Sequence, residues 1–238
     1  MISLHHRSDA KEYIDGPPVE AELLRQTYRE MKSINAHTLG YWPTMSAVEY
    51  FFGRCGRDRV ISVLDIGCGD GEILRRIDDH GRARGLSLEL TGIDLNREVI
   101  SYACQLTSSG INFIHGDIFS NSEDKSYDII INSLTMHHLT DQEIVKLMRW
   151  MTTHAHIGWS ISDLNRRAFA YYFAICFVKL AGLNHVICHD APLSVARSFR
   201  RRDWVDLLTQ AELDLNSVKI SWYPNFRYGI CYDRGNAR

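Results

Sequence analysis

Val60–Ile66 (VISVLDI) is a short β-branched and aliphatic run that stops at Gly67-Cys68-Gly69-Asp70-Gly71 and gives way to the helical spacing of Ile73, Leu74 and Ile77. The same alternation then repeats: strand 88–93, a helix from Asn96, strands 111–114 and 127–132, a helix from Thr140 and strand 155–161. Thr140-Asp141-Gln142-Glu143 is a capping-box sequence ahead of Ile144, Leu147 and Met148, and it marks that helix start. Strands of buried type separated by helical patterns require a parallel sheet with helices on both faces. The expected fold is therefore α/β and doubly wound.

Other segments attach to this core. Up to about residue 59 the chain reads as helical: Gly16-Pro17-Pro18 opens a helix whose Val19, Leu23, Leu24, Tyr28, Met31 and Ile34 share one face. Pro43 interrupts that pattern before a second apolar stretch, 45–52. Residues 1–59 are thus expected to form a helical arm or lid, ahead of a domain over 60–238. A helical insertion breaks the rhythm after residue 165, over 166–183 and on to about 189, and a last helix is expected near 201–211. Strands 218–222 and 226–232 are separated by so short a turn that they must pair antiparallel, which completes a mostly parallel seven-stranded sheet with an antiparallel C-terminal edge.

Composition excludes several classes. The 27 basic and 29 acidic residues nearly cancel, leaving a net charge of −2 and no global field to draw in nucleic acid or anionic membrane. The longest apolar run, 168–178, falls short of the roughly 18–20 residues of a spanning helix. The opening MISLHHRSDAKEY lacks the apolar core of a secretory signal. The six cysteines are scattered without close pairs, as in a reduced protein, so a cytoplasmic protein is expected.

A strand that runs into a glycine-rich turn and a helix is a cofactor site by geometry, because glycine lets backbone approach a ligand. Here the turn is flanked by acids: Asp65 precedes Gly67, Asp70 lies inside it, and Asp94 ends the next strand. Carboxylates beside a pyrophosphate would repel it, and Glu72 stands where a nicotinamide-type G-x-G-x-x-G wants its last glycine. S-adenosylmethionine (SAM) suits the loop better, since it has no phosphate and its ammonium and sulfonium groups are positive. Asp94 is then placed to accept from both ribose hydroxyls.

With these residues in view, the chain resembles the class I SAM-dependent methyltransferases, which share a Rossmann-like fold. VLDIGCGDGEIL (63–74) resembles the first motif of that class, TGIDLN (91–96) the ribose motif, INFIHGDIF (111–119) the adenine motif and SYDIIINSLTMHHL (126–139) the fourth. The resemblance implies SAM contacts from Asp65, Gly67, Cys68, Gly69, Asp94, Leu95, Asn132 and Ser133, with Asp117 on the adenine amino group and Ile118 beside the ring. Asn132-Ser133-Leu134-Thr135 departs from the N/D-P-P-Y form of base and amino-nitrogen methyltransferases. Within the class the chain is similar to the ubiquinone/menaquinone branch. Through EYIDGPP and HDAPLSVARSFRRRDW (189–204) it also resembles bacterial enzymes of phenolic-lipid and polyketide pathways.

The expected activity is methyl transfer to a small, aromatic, apolar acceptor, most readily at a phenolic hydroxyl. Carbon methylation of a quinone-like ring, or a non-catalytic SAM- or RNA-binding role, are the alternatives. His137 and His138 follow the fourth strand, where ligands meet the strand ends, and an imidazole suits the task of taking the acceptor's proton. Phe169, Tyr172 and Phe173, in the insertion, are expected to line the acceptor pocket; the same surface would also serve a homodimer contact. His185, Cys188 and His189, or Asp163-x-Asn165, make no recognised metal pattern, so no metal is expected. Arg197 and Arg200–Arg202 read as a solvated helix start.

Overall fold

Seven short apolar runs become strands of one sheet in the computed structural model, which describes residues 4–16, 19–56, 59–107, 110–121 and 125–235. The strands are β1 (Val60–Ile66), β2 (Ser87–Asp94), β3 (Ile111–His115), β4 (Tyr127–Ser133), β5 (Ala155–Leu164), β6 (Val218–Tyr223) and β7 (Arg227–Asp233), in the order β3-β2-β1-β4-β5-β7-β6. The first five run parallel; β7 is antiparallel to both β5 and β6. The last two strands do pair antiparallel, but β7 is inserted beside β5 and only β6 is the edge.

Helices α1 (Ala21–His37), α2 (Trp42–Phe52), α3 (Glu72–Ala83), α4 (Arg97–Leu106), α5 (Ile118–Asn121), α6 (Asp141–His154), α7 (Ala168–Leu180), α8 (His185–Arg197) and α9 (Arg201–Gln210) surround it. Alternation along β4 divides the core. Ile130 faces Met148, Trp159 and Trp204 under α6 and α9, whereas Ile129 and Ile131 face Val48, Phe51 and Leu74 under α2 and α3. A central strand buried on both sides is what a continuous apolar run dictates. The Thr140–Glu143 capping box forms as its residues predict.

Two segments differ from expectation. Pro43 lies in the first turn of α2, where a missing N–H costs nothing, and α2 packs on β5 and β7 as an ordinary covering helix. Pro17 and Pro18 lie outside the described residues, and α1 starts at Ala21. The insertion is a helical hairpin: α7 stops at Leu180, Gly182 takes φ +63°, and Asn184 caps a second helix that continues past residue 189 to Arg197. Among the described residues no helix is long and apolar enough to cross a membrane. All six cysteines are free thiols.

Candidate functional site

The parallel strand ends converge on one cavity of about 1310 Å³, walled by α1, the β1–α3 loop, the β4–α6 turn and the α7–α8 hairpin. A pocket for one drug-sized ligand holds about 300–1,000 Å³, so this one has room for two.

The loop after β1 forms the floor. Gly67 (φ +71°) donates to Ile93 O at 2.8 Å, and a Cβ on it would lie 2.3 Å from Thr135 Oγ1. Gly69 (φ +55°) donates to Asp94 Oδ2 at 3.0 Å, and its missing Cβ leaves room for the Tyr28 ring, 2.9 Å away. Asp94 Oδ1 accepts from Asn96 N at 2.9 Å, so this carboxylate shapes the loop as well as facing the cavity. The acids then sort by partner. Glu72 is neutralised by Lys32, Arg75 and Arg76, and Asp70 by Arg75. Asp65 and Asp94 have no ion pair among the described residues, and Asp65 Oδ1 is buried without a hydrogen bond. Burial, then the neighbouring Asp94, hold the Asp65 carboxyl well above the usual carboxylate range. Burial also raises Asp94, against the hydrogen bonds from Asn96 and Gly69. This floor is short of positive charge.

Cys68, Leu95, Asp117, Ile118 and Ser133 also line the cavity. Asp117 accepts from Phe119 N at 3.0 Å and caps the turn into α5. Asn132 does not reach the lining. It is fully buried beneath it and ties β4 to β1 by donating to Ile66 O at 2.8 Å.

Both histidines come to the cavity through the 3-10 turn Met136–His138. His137 is 3% exposed, its Nδ1 lies 2.7 Å from Asp163 Oδ1, and its backbone N–H donates to the other oxygen. His138 Nδ1 lies 2.8 Å from Asp15 Oδ1. Burial alone would lower the His138 pKa; the Asp15 hydrogen bond and the charges of Glu12, Asp15 and Asp163 outweigh it and raise it. Glu12, buried between the two rings, has its pKa raised by burial against the pull of both imidazoles.

Phe169 and Tyr172 are exposed at 69% and 53% and do not line the cavity, contrary to expectation. On α7 the lining comes from Phe173, Ala174, Phe177 and Val178; Phe173 is itself 45% exposed and stacks on Phe169 one turn away, so it stands at the cavity's rim. The basic cluster also divides. Arg197 is not solvated but buried, donating to His137 O and His138 O at 2.9 Å each and clamping the turn that carries them. Arg200, Arg201 and Arg202 are exposed. Glu12, Tyr28 and Arg227, a buried cation donating to Asn35 Oδ1 at 2.7 Å, are cavity residues that sequence reasoning missed. Only EYIDGPP hinted at the first, and it carried no chemistry.

Residues 63–158 match the family model of a methyltransferase domain. The fold is that of a methyltransferase. The plantazolicin methyltransferase BpumL, solved with a triazolic desmethylPZN analog and SAH, superposes with a TM-score of 0.64 at 19% identity, over 89% of this chain and 97% of that one. Human N-acetylserotonin methyltransferase, solved with SAM, gives 0.60 at 15% identity over 92% of this chain and 57% of that one. An O-methyltransferase, described as putative, of Nostoc punctiforme gives 0.55 at 14%, over 79% and 56%. At such identities the likeness is one of fold. In the methyltransferase domain the glycine loop, Asp94 and Asp117 stand at the ends of β1, β2 and β3, side by side across the sheet.

Proposed function

We propose that the methyltransferase domain moves the methyl group of SAM to the hydroxyl of a small, largely apolar acceptor of phenolic or polyketide type. The observation that carries this reading is one cavity with unpaired Asp65 and Asp94 at its floor and the Glu12–His137–His138 cluster on its wall. When bound, SAM supplies a methyl group on a positively charged sulfur. The two carboxylates favour that cation, Gly67 and Gly69 let the backbone come close, and Asp94 accepts from the ribose. Cys68, Leu95, Asp117, Ile118 and Ser133 enclose the rest, with Asn132 bracing the strands below. The acceptor oxygen meets the histidine cluster and gives up its proton there as its bond to the methyl carbon forms and the sulfur–carbon bond breaks. Phe173, Phe177 and Phe226 hold the acceptor's apolar body, and position does the remaining work. The same site serves carbon methylation of a quinone-like ring; the polar cluster favours oxygen. Free thiols suit a reducing, cytoplasmic setting.

Incubation with labelled SAM and a panel of phenols tests this: label on a phenolic oxygen supports it, and no transfer to any phenol overturns it. Phe173→Ser and Phe177→Ser are each expected to raise acceptor KM about tenfold or more, since burying one aromatic ring is worth about 1.5–3 kcal/mol. Phe169→Ser, whose ring packs on Phe173 and Phe226 without lining the cavity, is expected to change KM less than either. Equal effects at all three positions would refute this assignment of the lining.

The raised carboxyls add a pH signature. Asp65 and Asp94 hold protons above the usual carboxylate range in the free protein, and a bound cation favours their ionised forms. SAM binding should therefore release protons and tighten as pH rises through those raised pKa values. Folding stability of the free protein should move oppositely: a raised folded pKa stabilises most in acid, and that contribution is lost as pH rises. Calorimetry in buffers of different ionisation heat reads the protons released; proton uptake would contradict the assignment.

A further inference from the structure

The Glu12–His137–His138 cluster poses a problem of lone pairs. His137 Nδ1 lies 2.7 Å from Asp163, and His138 Nδ1 lies 2.8 Å from Asp15. A carboxylate accepts, so each Nδ1 carries the hydrogen, and in its neutral form each ring presents a bare Nε2 lone pair. Both Nε2 atoms face one carboxylate: His137 Nε2 lies 3.6 Å from Glu12 Oε1 and His138 Nε2 3.9 Å from Glu12 Oε2. With both rings neutral, acceptor confronts acceptor, and Glu12 is buried with its Oε1 without a hydrogen-bond partner. Something positive belongs between them.

A shared proton does not fit these separations, since an N–H···O bond spans about 2.7–3.2 Å. A metal ion does. Bonds of about 2.0–2.1 Å at tetrahedral angles put neighbouring ligand atoms roughly 3.3–3.5 Å apart; the 3.6 and 3.9 Å separations here, in a set that lies within 4.8 Å, need the side chains to close a little around an ion. The hydrogen bonds at each Nδ1 are those that orient a metal-bound imidazole and fix its tautomer. Arg197 opposes a cation, with its Nε 3.7 Å from Glu12 Oε1. Against it stand four carboxylates on the same groups: Glu12 itself, Asp15, Asp163 and Asp190, the last holding Tyr13 N and Ile14 N beside Glu12.

The geometry points to a divalent-cation site of the zinc class formed by Glu12, His137 and His138, with a fourth position open to the acceptor cavity. Two nitrogens and one carboxylate suit zinc or cobalt(II) rather than magnesium or calcium, which take oxygen. The use of the fourth position rests on the proposed methyl transfer. There the acceptor's hydroxyl oxygen takes the open place; with both Nε2 lone pairs on the metal its proton leaves to water rather than to an imidazole, and the oxygen is ionised near neutral pH.

Metal-stripped full-length protein titrated with cobalt(II) tests the site by its visible spectrum and by equilibrium dialysis. One cobalt per chain with the intense absorption of a four-coordinate ion is expected. Glu12→Gln, His137→Asn and His138→Asn should each weaken binding at least tenfold, while the exposed His156→Asn should bind as the parent does. Because a histidine variant can disturb the turn, melting temperature without metal is read in parallel, and Asp15→Asn provides a milder variant that keeps all three ligands and should weaken binding severalfold. No stoichiometric cobalt, a weak six-coordinate spectrum, or equal binding by all variants overturns the site. SAM affinity, measured with and without chelator, separates the two readings: SAM binding with no metal site leaves the methyltransferase proposal standing and removes this one.

Discussion

Replacing His138 by alanine is expected to lower methyl transfer by about 10²–10⁴-fold, the range for losing a group on which removal of the acceptor's proton depends, whether as base or as metal ligand. The same range is expected for His137→Ala. Neither ring is hydrogen-bonded to the glycine loop; they are held by Asp15, Asp163 and the Arg197 clamp on their carbonyls. SAM affinity should therefore be unchanged in both. Steady-state turnover with a phenolic acceptor, beside calorimetric SAM binding, checks this. Full activity in both variants would mean that the acceptor ionises into water without help from the cluster.

Asp94→Ala is expected to weaken SAM at least tenfold. Its carboxylate would make two hydrogen bonds to the ribose, each worth roughly 1.5–3 kcal/mol when charge-assisted, and 1.4 kcal/mol is a factor of ten. The loss has a second source: Gly69 N and Asn96 N lose their acceptor, so the loop and the start of α4 loosen. Asp94→Asn keeps an acceptor oxygen but removes the charge, and should fall between the variant and the parent. Calorimetry resolves the order, and unchanged affinity in Asp94→Ala would remove the ribose assignment.

The sheet was legible because its signals are local. The centres of β1 and β4, Val63-Leu64 and Ile129–Ile131, are unbroken apolar runs since both faces are covered, and the turn residues after β1 are unambiguous. The glycine loop was legible for the same reason: Gly67, Gly69 and Asp94 act within one strand–turn–helix unit and its neighbour. The acceptor side was not. Glu12 meets His137 only because the N-terminal segment folds over the β4–α6 turn, and no spacing encodes a contact between residues so far apart. Phe169 and Phe173 look alike in a helix that is apolar all round, and only the fold shows that Phe173 lines the cavity and Phe169 does not. Arg197 reads as a surface charge until its donors are seen to hold the carbonyls of both histidines.

The central claim is that the cavity floor is built for a cation carrying a nucleoside, with no phosphate. Titrating SAM into the full chain by calorimetry, with NAD as the comparison, tests it most directly. The floor of Gly67, Gly69, Asp65 and Asp94 predicts one SAM per chain, displaced by SAH, and no measurable NAD binding, because unpaired carboxylates repel a pyrophosphate. Stoichiometric NAD binding, with no heat from SAM, would contradict it.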